Sequence, residues 1–238
     1  MKVSIIIPAY NEAKTLPQIL KAARAASFGC KADREIIVID DGSMDNTRDV
    51  LAREGGIEII YLAKNQGKGA ALKEGFKRAN GDIILIQDAD LEYDPADYPR
   101  LLEPIVKGKA DVVYGSRFRG TYQRSIYFWN AVGNKFVTML SNLFTGLNLT
   151  DMETGYKAFR REVIMSFVDR LRSKRFGIEP ELTARVAHTR LAGGRSKARV
   201  FEVPINYYGR TYEEGKKIGW RDGLKAIFVI LYFNLIDR

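Results

Sequence analysis

Residues 83–92 read IILIQDADLE, and the architecture of the chain can be inferred outward from them. Four consecutive aliphatic residues are typical of a strand that is covered on both faces, as in a parallel sheet between two layers of helices. Asp88, Asp90 and Glu92 follow at once, and in extended backbone they share one side. Carboxylates at the carboxyl end of such a strand lie where open α/β sheets bind ligands, so this pattern predicts a site for a hard divalent cation.

The totals for the chain favour one large domain, since it has 238 residues of which 46% are hydrophobic. Its single cysteine, Cys30, excludes an internal disulfide and suits a reducing cytosol. One cysteine and one histidine (His188) also argue against a zinc site.

The net charge of +9 is unevenly distributed. Residues 1–120 contain 18 Lys and Arg against 18 Asp and Glu, whereas residues 121–238 contain 20 against 11. The second half is therefore expected to face something anionic, such as phosphates, lipid headgroups or nucleic acid. A nucleic-acid-binding module is the remote alternative, because charge is its sole support and it leaves the acidic strand ends without a role.

Strand and helix patterns alternate along the first half of the chain. Strand patterns occur at 2–7, 35–39, 57–62, 83–87 and 111–114, with helical or glycine-rich segments between them. This alternation predicts an α/β fold with a Rossmann-like, doubly wound, mostly parallel sheet and helices on both faces. A further edge strand is expected at 199–205.

Acidic residues recur where these strands end. They are Glu12 after the first strand, Asp40 and Asp41 after the second, and Asp88 with Asp90 after the fourth. The carboxyl ends of parallel strands share one edge, so negative charge would accumulate there at a cost unless a cation or donor groups compensate it. The glycine-rich turn at 65–69, which precedes a helix, resembles a phosphate-cradling loop without Walker A spacing, and Arg117 supplies a counter-charge.

These motifs together resemble those of family 2 glycosyltransferases with the GT-A fold. They are PAYNE at 8–12, DDGS at 40–43, DAD at 88–90 and GSR at 115–117, in that order. Within the family, the chain is similar to dolichol-phosphate mannosyltransferases and polyprenyl-phosphate glucosyltransferases. The likeness continues through DMETGYK at 151–157, Arg210 and Lys216, so it extends over most of the chain.

The resemblance implies a role for each matching residue. Asp88, Asp90 and Glu92 would bind Mg²⁺ or Mn²⁺, although relatives often carry Gln where this chain has Glu92. Asp88, Asp90 and Arg117 would be catalytic, and Arg124 and Asp151 would bind the acceptor. The residues expected to bind the donor are Pro8, Tyr10, Glu12, Ile39, Asp41, Lys68, Asp88, Ala89, Asp90, Arg117, Arg210 and Lys216.

The implied activity is inverting transfer of a hexose, mannose or glucose, from a nucleotide-diphosphate sugar to a polyprenyl or dolichyl phosphate. A lipid phosphate oxygen is already anionic near neutral pH and needs no general base. The alternative is transfer to a sugar or glycolipid hydroxyl, which does need a base, and Asp151, Glu179 and Glu181 are the candidates. A sugar-nucleotide binder without activity is a further alternative.

Two segments of the second half suggest contact with a membrane. Residues 125–147 predict a helix that either faces the core or lies at a membrane surface. The apolar tail at 224–236, about 13 residues, is too short to span a bilayer and either packs on the domain or enters the interface.

The expected organisation is a GT-A domain over 1–218 followed by an amphipathic helix over 219–238. The domain divides into a nucleotide-binding half (1–118) and an acceptor-binding half (119–218). A cytoplasmic protein attached peripherally to the cytoplasmic face of the membrane is expected.

Overall fold

The computed structural model of the protein describes residues 1–119, 128–191, 196–210 and 220–237. Two of the residues to which a role was assigned, Arg124 and Lys216, lie outside these ranges.

Nine strands occur in these ranges, seven of them in one central sheet. The strands are β1 (Lys2–Ala9), β2 (Asp33–Asp40), β3 (Glu58–Tyr61), β4 (Ile83–Ile86), β5 (Val112–Ser116), β6 (Lys157–Arg160), β7 (Arg190–Leu191), β8 (Ser196–Lys197) and β9 (Val200–Pro204). The short strands β7 and β8 pair only with each other, in antiparallel orientation. The helices are α1 (Leu16–Ala25), α2 (Thr47–Leu51), α3 (Lys68–Arg78), α4 (Tyr98–Val106), α5 (Phe128–Thr145), α6 (Arg161–Met165), α7 (Ile178–His188) and α8 (Trp220–Leu231).

The strand order of the central sheet is β3-β2-β1-β4-β6-β5-β9. The first four strands are parallel, and β9 is parallel to β5, so the predicted mostly parallel sheet is confirmed. Strand β6 runs antiparallel to both of its neighbours, pairing Ala158 with Leu85 of β4 and with Val113 of β5. Because β6 is reversed, the segment that precedes it lies at the edge where β4 and β5 end.

The sheet is covered on both faces, which explains the continuous aliphatic runs in its central strands. On one face Ile5, Ile7 and Leu85 belong to a core built with α1 and α4. On the other face Ile6 and Ile84 belong to a core built with α3, α6 and α7. The outcome is a three-layer α/β arrangement of the kind predicted.

One side of the C-terminal segment, residues 220–237, packs on the rest of the domain. After α8 comes a π-helical turn, Tyr232–Ile236, in which Phe233 and Asn234 are buried. Asn234 Oδ1 lies 3.0 Å from His188 Nε2, and Asp237 forms a 3.0 Å ion pair with the buried Arg185. These contacts tie the segment to α7.

Helix α5 packs against α8, and both helices leave apolar side chains exposed. Val137, Ser141 and Thr145 of α5 are buried, while Trp129 and Leu143 are 78% and 76% exposed. On the C-terminal segment Phe228, Leu235 and Ile236 are exposed. No helix in the described ranges combines the length and the apolar character that crossing a membrane requires.

Candidate active site

A cleft of about 1270 Å³ opens at the carboxyl ends of β1, β2, β4 and β5. Most of the residues singled out from the sequence line it. They are Pro8, Tyr10, Glu12, Asp41, Lys68, Asp88, Ala89, Asp90, Glu92, Arg117 and Arg210. Ile39 and Asp151 do not reach the cleft, since Ile39 is buried in the sheet core and Asp151 is buried behind Arg117.

Asp88 stands at the tip of β4 and is already paired with a cation. Lys68 Nζ lies 2.8 Å from both Asp88 oxygens and 3.1 Å from Glu179 Oε1. Burial disfavours the charged form of Lys68, but Asp88 and Glu179 outweigh burial and raise its pKa. Lys157, which is fully buried, pairs with the other oxygen of Glu179. A chain of alternating charges therefore runs from Asp88, which lines the cleft, through Lys68 and Glu179 to the buried Lys157.

The surroundings of Asp90 disfavour the charged form of its carboxyl group. Burial, followed by the negative charges of Asp88 and Glu92, raises its pKa to about 7. The next residue, Leu91, adopts a φ of 65°, an uncommon conformation for a bulky side chain that turns the acidic loop sharply. The guanidinium of Arg210 donates to the backbone oxygen of Asp90 at 2.7 Å and so partly compensates the site.

Glu92 is held by the segment that follows β9. Its Oε2 accepts a hydrogen bond from the Tyr207 hydroxyl at 2.9 Å, and its Oε1 accepts one from the Arg210 backbone N–H at 2.8 Å. Among the described residues no three acidic, histidine or cysteine side chains are placed to hold an ion together. The carboxylates of Asp88, Asp90 and Glu92 thus do not converge on one point, as the prediction of a three-carboxylate metal site requires.

Two carboxylates nevertheless fit a divalent cation that is shared with a substrate. Mg²⁺ is commonly bound by one or two carboxylates together with substrate phosphates, so Asp88 and Asp90 would be enough as protein ligands, with Asp88 exchanging its contact with Lys68 for the ion. Burial and the neighbouring charges of Asp88 and Glu92, which raise the pKa of Asp90, are the conditions under which a divalent cation would stabilise its ionised form.

Asp41 organises the glycine-rich turn. Its two oxygens accept hydrogen bonds from the backbone N–H groups of Gln66 and Gly67, both at 2.7 Å. Gly67 has a φ of 101°, and a Cβ there would stand 2.5 Å from the Lys174 carbonyl oxygen, so only glycine fits. Since α3 begins at the next residue, Asp41 and Gly67 set the direction in which Lys68 enters the cleft.

Arg117, at the end of β5, is fixed by Asp151. Its Nε and Nη2 donate to the two Asp151 oxygens, both at 2.7 Å, and its guanidinium carbon lies 5.3 Å from the centre of the Tyr207 ring. Burial disfavours ionisation of Asp151, but Arg117 outweighs this and lowers the pKa of the carboxyl. Asp151 thus contacts the cleft through Arg117 and through Asn134, which donates to its Oδ1 at 3.2 Å, and its assignment as an acceptor-binding residue stays a prediction.

The candidate general bases are all occupied by other contacts. Asp151 is paired with Arg117, and Glu179 lies between Lys68 and Lys157. Glu181 is fully buried, accepts hydrogen bonds from the Ser173 and Arg172 backbone N–H groups at 2.6 and 2.9 Å, and approaches Arg185 at 3.5 Å. None of the three has a carboxylate positioned to take a proton from a substrate hydroxyl.

Two parts of the cleft were not assigned from the sequence. The first is Glu153, whose buried Oε1 has no hydrogen-bond partner in the part of the chain that the structure describes. It belongs to the DMETGYK stretch, which the resemblance marked only as a whole. The second is an apolar end of the cleft, formed by α5 and α8 through Trp129, Phe136, Val137, Ala226 and Ile227. The aromatic spacing in residues 125–147 was the available signal for this wall.

The comparisons with known proteins agree with the fold. Residues 4–167 match the sequence model of glycosyl transferase family 2. An undecaprenyl-phosphate mannosyltransferase of Micrococcus luteus is 30% identical over 253 residues, a match that covers 100% of this chain and 96% of the relative. The chain belongs to glycosyl transferase family 2.

Other relatives share only part of their length with this chain. An undecaprenyl-phosphate 4-deoxy-4-formamido-L-arabinose transferase of Proteus mirabilis is 34% identical over 168 residues, which cover 68% of this chain and 50% of the relative. Among solved structures, glucosyl-3-phosphoglycerate synthase from Mycobacterium tuberculosis, in complex with Mn²⁺, UDP and phosphoglyceric acid, aligns with a TM-score of 0.71 at 21% identity. That alignment covers 99% of this chain and 79% of the synthase, and it confirms the GT-A-type fold.

Proposed function

We propose that the protein transfers a hexose, mannose or glucose, from a nucleotide-diphosphate sugar to a polyprenyl phosphate, with inversion at the anomeric carbon. The relative from Micrococcus luteus, which matches over the whole of this chain, is an undecaprenyl-phosphate mannosyltransferase. The proposal is that this chain also uses a polyprenyl phosphate as its acceptor, as the name of that relative indicates for the relative.

The observation that carries the proposal is the two-ended character of the cleft. One end holds the acidic pair Asp88 and Asp90 with the cations Lys68, Arg117 and Arg210. The other end is walled by apolar residues of α5 and α8, and it continues into the exposed apolar surface of the same helices. A substrate with a phosphate head and a hydrocarbon chain suits such a cleft, whereas a free sugar would leave the apolar wall uncovered.

The distribution of charge in the cleft supports a position for the donor. The nucleoside would lie beside Pro8, Tyr10 and Asp41, and the diphosphate would lie beside Lys68 and Arg210. Asp88 and Asp90 would hold Mg²⁺ or Mn²⁺, which when bound supplies positive charge to the departing diphosphate. The cations of the chain itself supply the same kind of stabilisation from fixed positions.

The chemistry needs no proton abstraction by the protein. An oxygen of the lipid phosphate attacks C1 of the hexose, the bond from C1 to the diphosphate oxygen breaks, and the nucleoside diphosphate leaves with the bonding electrons. Because the attacking oxygen is already anionic, the absence of a free carboxylate among Asp151, Glu179 and Glu181 costs nothing here. Transfer to a hydroxyl would need such a base, and Glu153 is the carboxyl of the cleft that has no partner among the described residues.

The exposed apolar faces of α5 and α8 support a peripheral attachment to a membrane. Aromatic side chains such as Trp129 and Phe228 suit the boundary between headgroups and acyl chains, and Lys225 lies near Phe228 on α8. The cytoplasmic face is the proposed location, and the free Cys30 is consistent with a reducing compartment.

The test is a comparison of acceptors. Purified protein with Mn²⁺ or Mg²⁺ is incubated with UDP-glucose or GDP-mannose, and with either undecaprenyl phosphate or a panel of free sugars and glycolipids. We expect a lipid-soluble product that carries the hexose on phosphate. A product formed only with hydroxyl acceptors would reject the proposal.

A further inference from the structure

Glu153 is the one carboxyl group of the cleft for which the structure provides no hydrogen-bond or ion-pair partner among the described residues. Its Oε1 is buried and unpaired, although the side chain borders the cleft. Leaving a buried polar atom unpaired costs about 1–3 kcal/mol, and more when it is charged. An unpaired oxygen in a substrate cleft is therefore placed to bond to something that enters the cleft.

The order of strands in the sheet indicates which part of the donor approaches Glu153. The proposed nucleoside position lies at the ends of β1 and β2, and the acidic pair lies at the end of β4. Glu153 precedes β6, which is on the far side of β4 from β1 in the strand order. A nucleotide sugar that runs across the strand ends with its diphosphate at Asp88 and Asp90 presents its hexose to the segment before β6.

The charges in the cleft also indicate that the hexose, and not a phosphate group, approaches Glu153. The diphosphate and a lipid phosphate are anions, and Lys68, Arg117 and Arg210 offer them better surroundings than a carboxyl group does. Burial and the neighbouring Glu179 raise the pKa of Glu153 to about 7, so near neutral pH it is present in both forms. Either form can accept a hydrogen bond from a hydroxyl, and the protonated form can also donate one.

We propose that Glu153 binds a hydroxyl group of the hexose in the donor and thereby contributes to the selection of the sugar. The proposal rests on the proposed use of a nucleotide sugar, but not on the identity of the acceptor. A site built to pair a substrate hydroxyl discriminates strongly against analogues that lack it, because the buried partner is then left without a hydrogen bond. Glu153 is thus a specificity residue, separate from the residues that bind the nucleotide.

Calorimetric titration tests this with Mn²⁺ present and with UDP, GDP, UDP-glucose and GDP-mannose as ligands. In the wild-type protein one nucleotide sugar should bind more tightly than its bare nucleoside diphosphate. In Glu153→Ala this advantage should fall by about 10–100-fold while binding of the bare nucleotide is unchanged. Glu153→Gln, which keeps one acceptor and gains a donor, should retain part of the advantage, and the exposed Glu74→Ala should retain all of it.

Donors that lack single hydroxyl groups identify the partner. One deoxyhexose donor should lose affinity in the wild-type protein and lose nothing further in Glu153→Ala. The proposal fails if every deoxy donor is penalised equally in both proteins, or if the wild-type protein binds neither sugar nucleotide more tightly than UDP or GDP. It also fails if Glu153→Gln leaves binding intact, lowers kcat and removes the rise of activity with pH, which would make Glu153 a base. Failure of transfer to undecaprenyl phosphate with the binding pattern intact would instead reject the acceptor assignment alone.

Discussion

Gly155 lies against Asp88 so closely that a Cβ on Gly155 would stand 2.3 Å from Asp88 Oδ2 and 2.8 Å from Lys68 Nζ. The backbone N–H of Gly155 also donates to the Tyr93 hydroxyl at 2.9 Å, which fixes the glycine in place. The Asp88–Lys68 pair therefore depends on the absence of a side chain in the loop that precedes β6.

Gly155→Ala should displace the Asp88 carboxylate and lower kcat/KM by about 10²-fold, since a shift of about 1 Å at a reacting centre has effects of that size. The helix content should remain as in the wild-type protein. Steady-state kinetics and circular dichroism measure the two properties. Wild-type kinetics in Gly155→Ala would show that this contact has no catalytic importance.

Asp90→Ala should abolish transfer, with a loss of at least about 10²-fold in kcat/KM, because it removes a carboxylate proposed to hold the cation. The protein should stay folded, since the substitution also removes a carboxyl whose charge the fold disfavours. Transfer assays with and without excess chelator provide the measurement. Full activity in either Asp90→Ala or chelator would contradict the role of the cation.

Asp151→Asn should loosen Arg117 and destabilise the fold. Removing one partner of a buried ion pair costs about 3–5 kcal/mol, and the Asp151 side chain is fully buried. Because the pKa of Asp151 is lowered in the fold, its contribution is present above the unfolded value of 3.8 and is lost as the pH falls through the lower folded value. Urea denaturation at pH 7 and pH 3 should show a difference between variant and wild type that shrinks in acid.

Glu153→Gln should have the opposite effect on stability. Its pKa is raised from 4.5 to about 7, so ionisation costs the wild-type fold stability progressively as the pH rises through that interval. The variant should be as stable as the wild type at pH 4 and more stable at pH 8, by roughly 1–2 kcal/mol. Parallel denaturation curves at both pH values are the measurement, and an equal difference at pH 4 and pH 8 would exclude this origin.

Leu143→Glu and Phe228→Glu should weaken attachment to membranes. Burying one such side chain contributes about 1.5–3 kcal/mol, so each variant should bind anionic vesicles about 10–100-fold less tightly. Neither residue lines the cleft, and binding of the nucleotide sugar should be unchanged. Vesicle sedimentation is the assay, with Val106→Glu as the control because the exposed Val106 belongs to α4, on the opposite face of the sheet.

The sequence was informative about the first half of the chain because its strands are buried on both faces. Aliphatic runs marked β1, β2, β4 and β5, and the acidic residues after β1, β2 and β4 marked one edge of the cleft. Strand β6 was missed, since KAFR at 157–160 includes a buried lysine and is only four residues long. Lys157 is tolerated there because Glu179 compensates it, a contact across 22 residues that no local pattern indicates.

The ion pairs and hydrogen bonds between side chains distant in the sequence could not be predicted either. Asp151, Glu179 and Glu181 were equivalent as candidate bases until the structure placed a cation or backbone N–H groups against each of them. Glu92 was predicted as a metal ligand, and its contacts with Tyr207 and Arg210 were not predicted because those residues lie more than 100 residues away in the chain. Asp41, Asp88 and Arg117 were predicted to lie at the cleft because each closely follows its strand, and they line it; their roles in binding the donor stay predictions.

The reversed direction of β6 has a consequence for engineering. The loop at 146–156 leaves α5 and returns into the sheet between β4 and β5, and it is bonded to residues outside itself. Arg117 pairs with its Asp151, and Glu202 accepts a hydrogen bond from its Thr150. On the proposed role of Glu153, exchanging this loop between relatives together with these two partners is a route to enzymes with altered sugar preference on an unchanged scaffold.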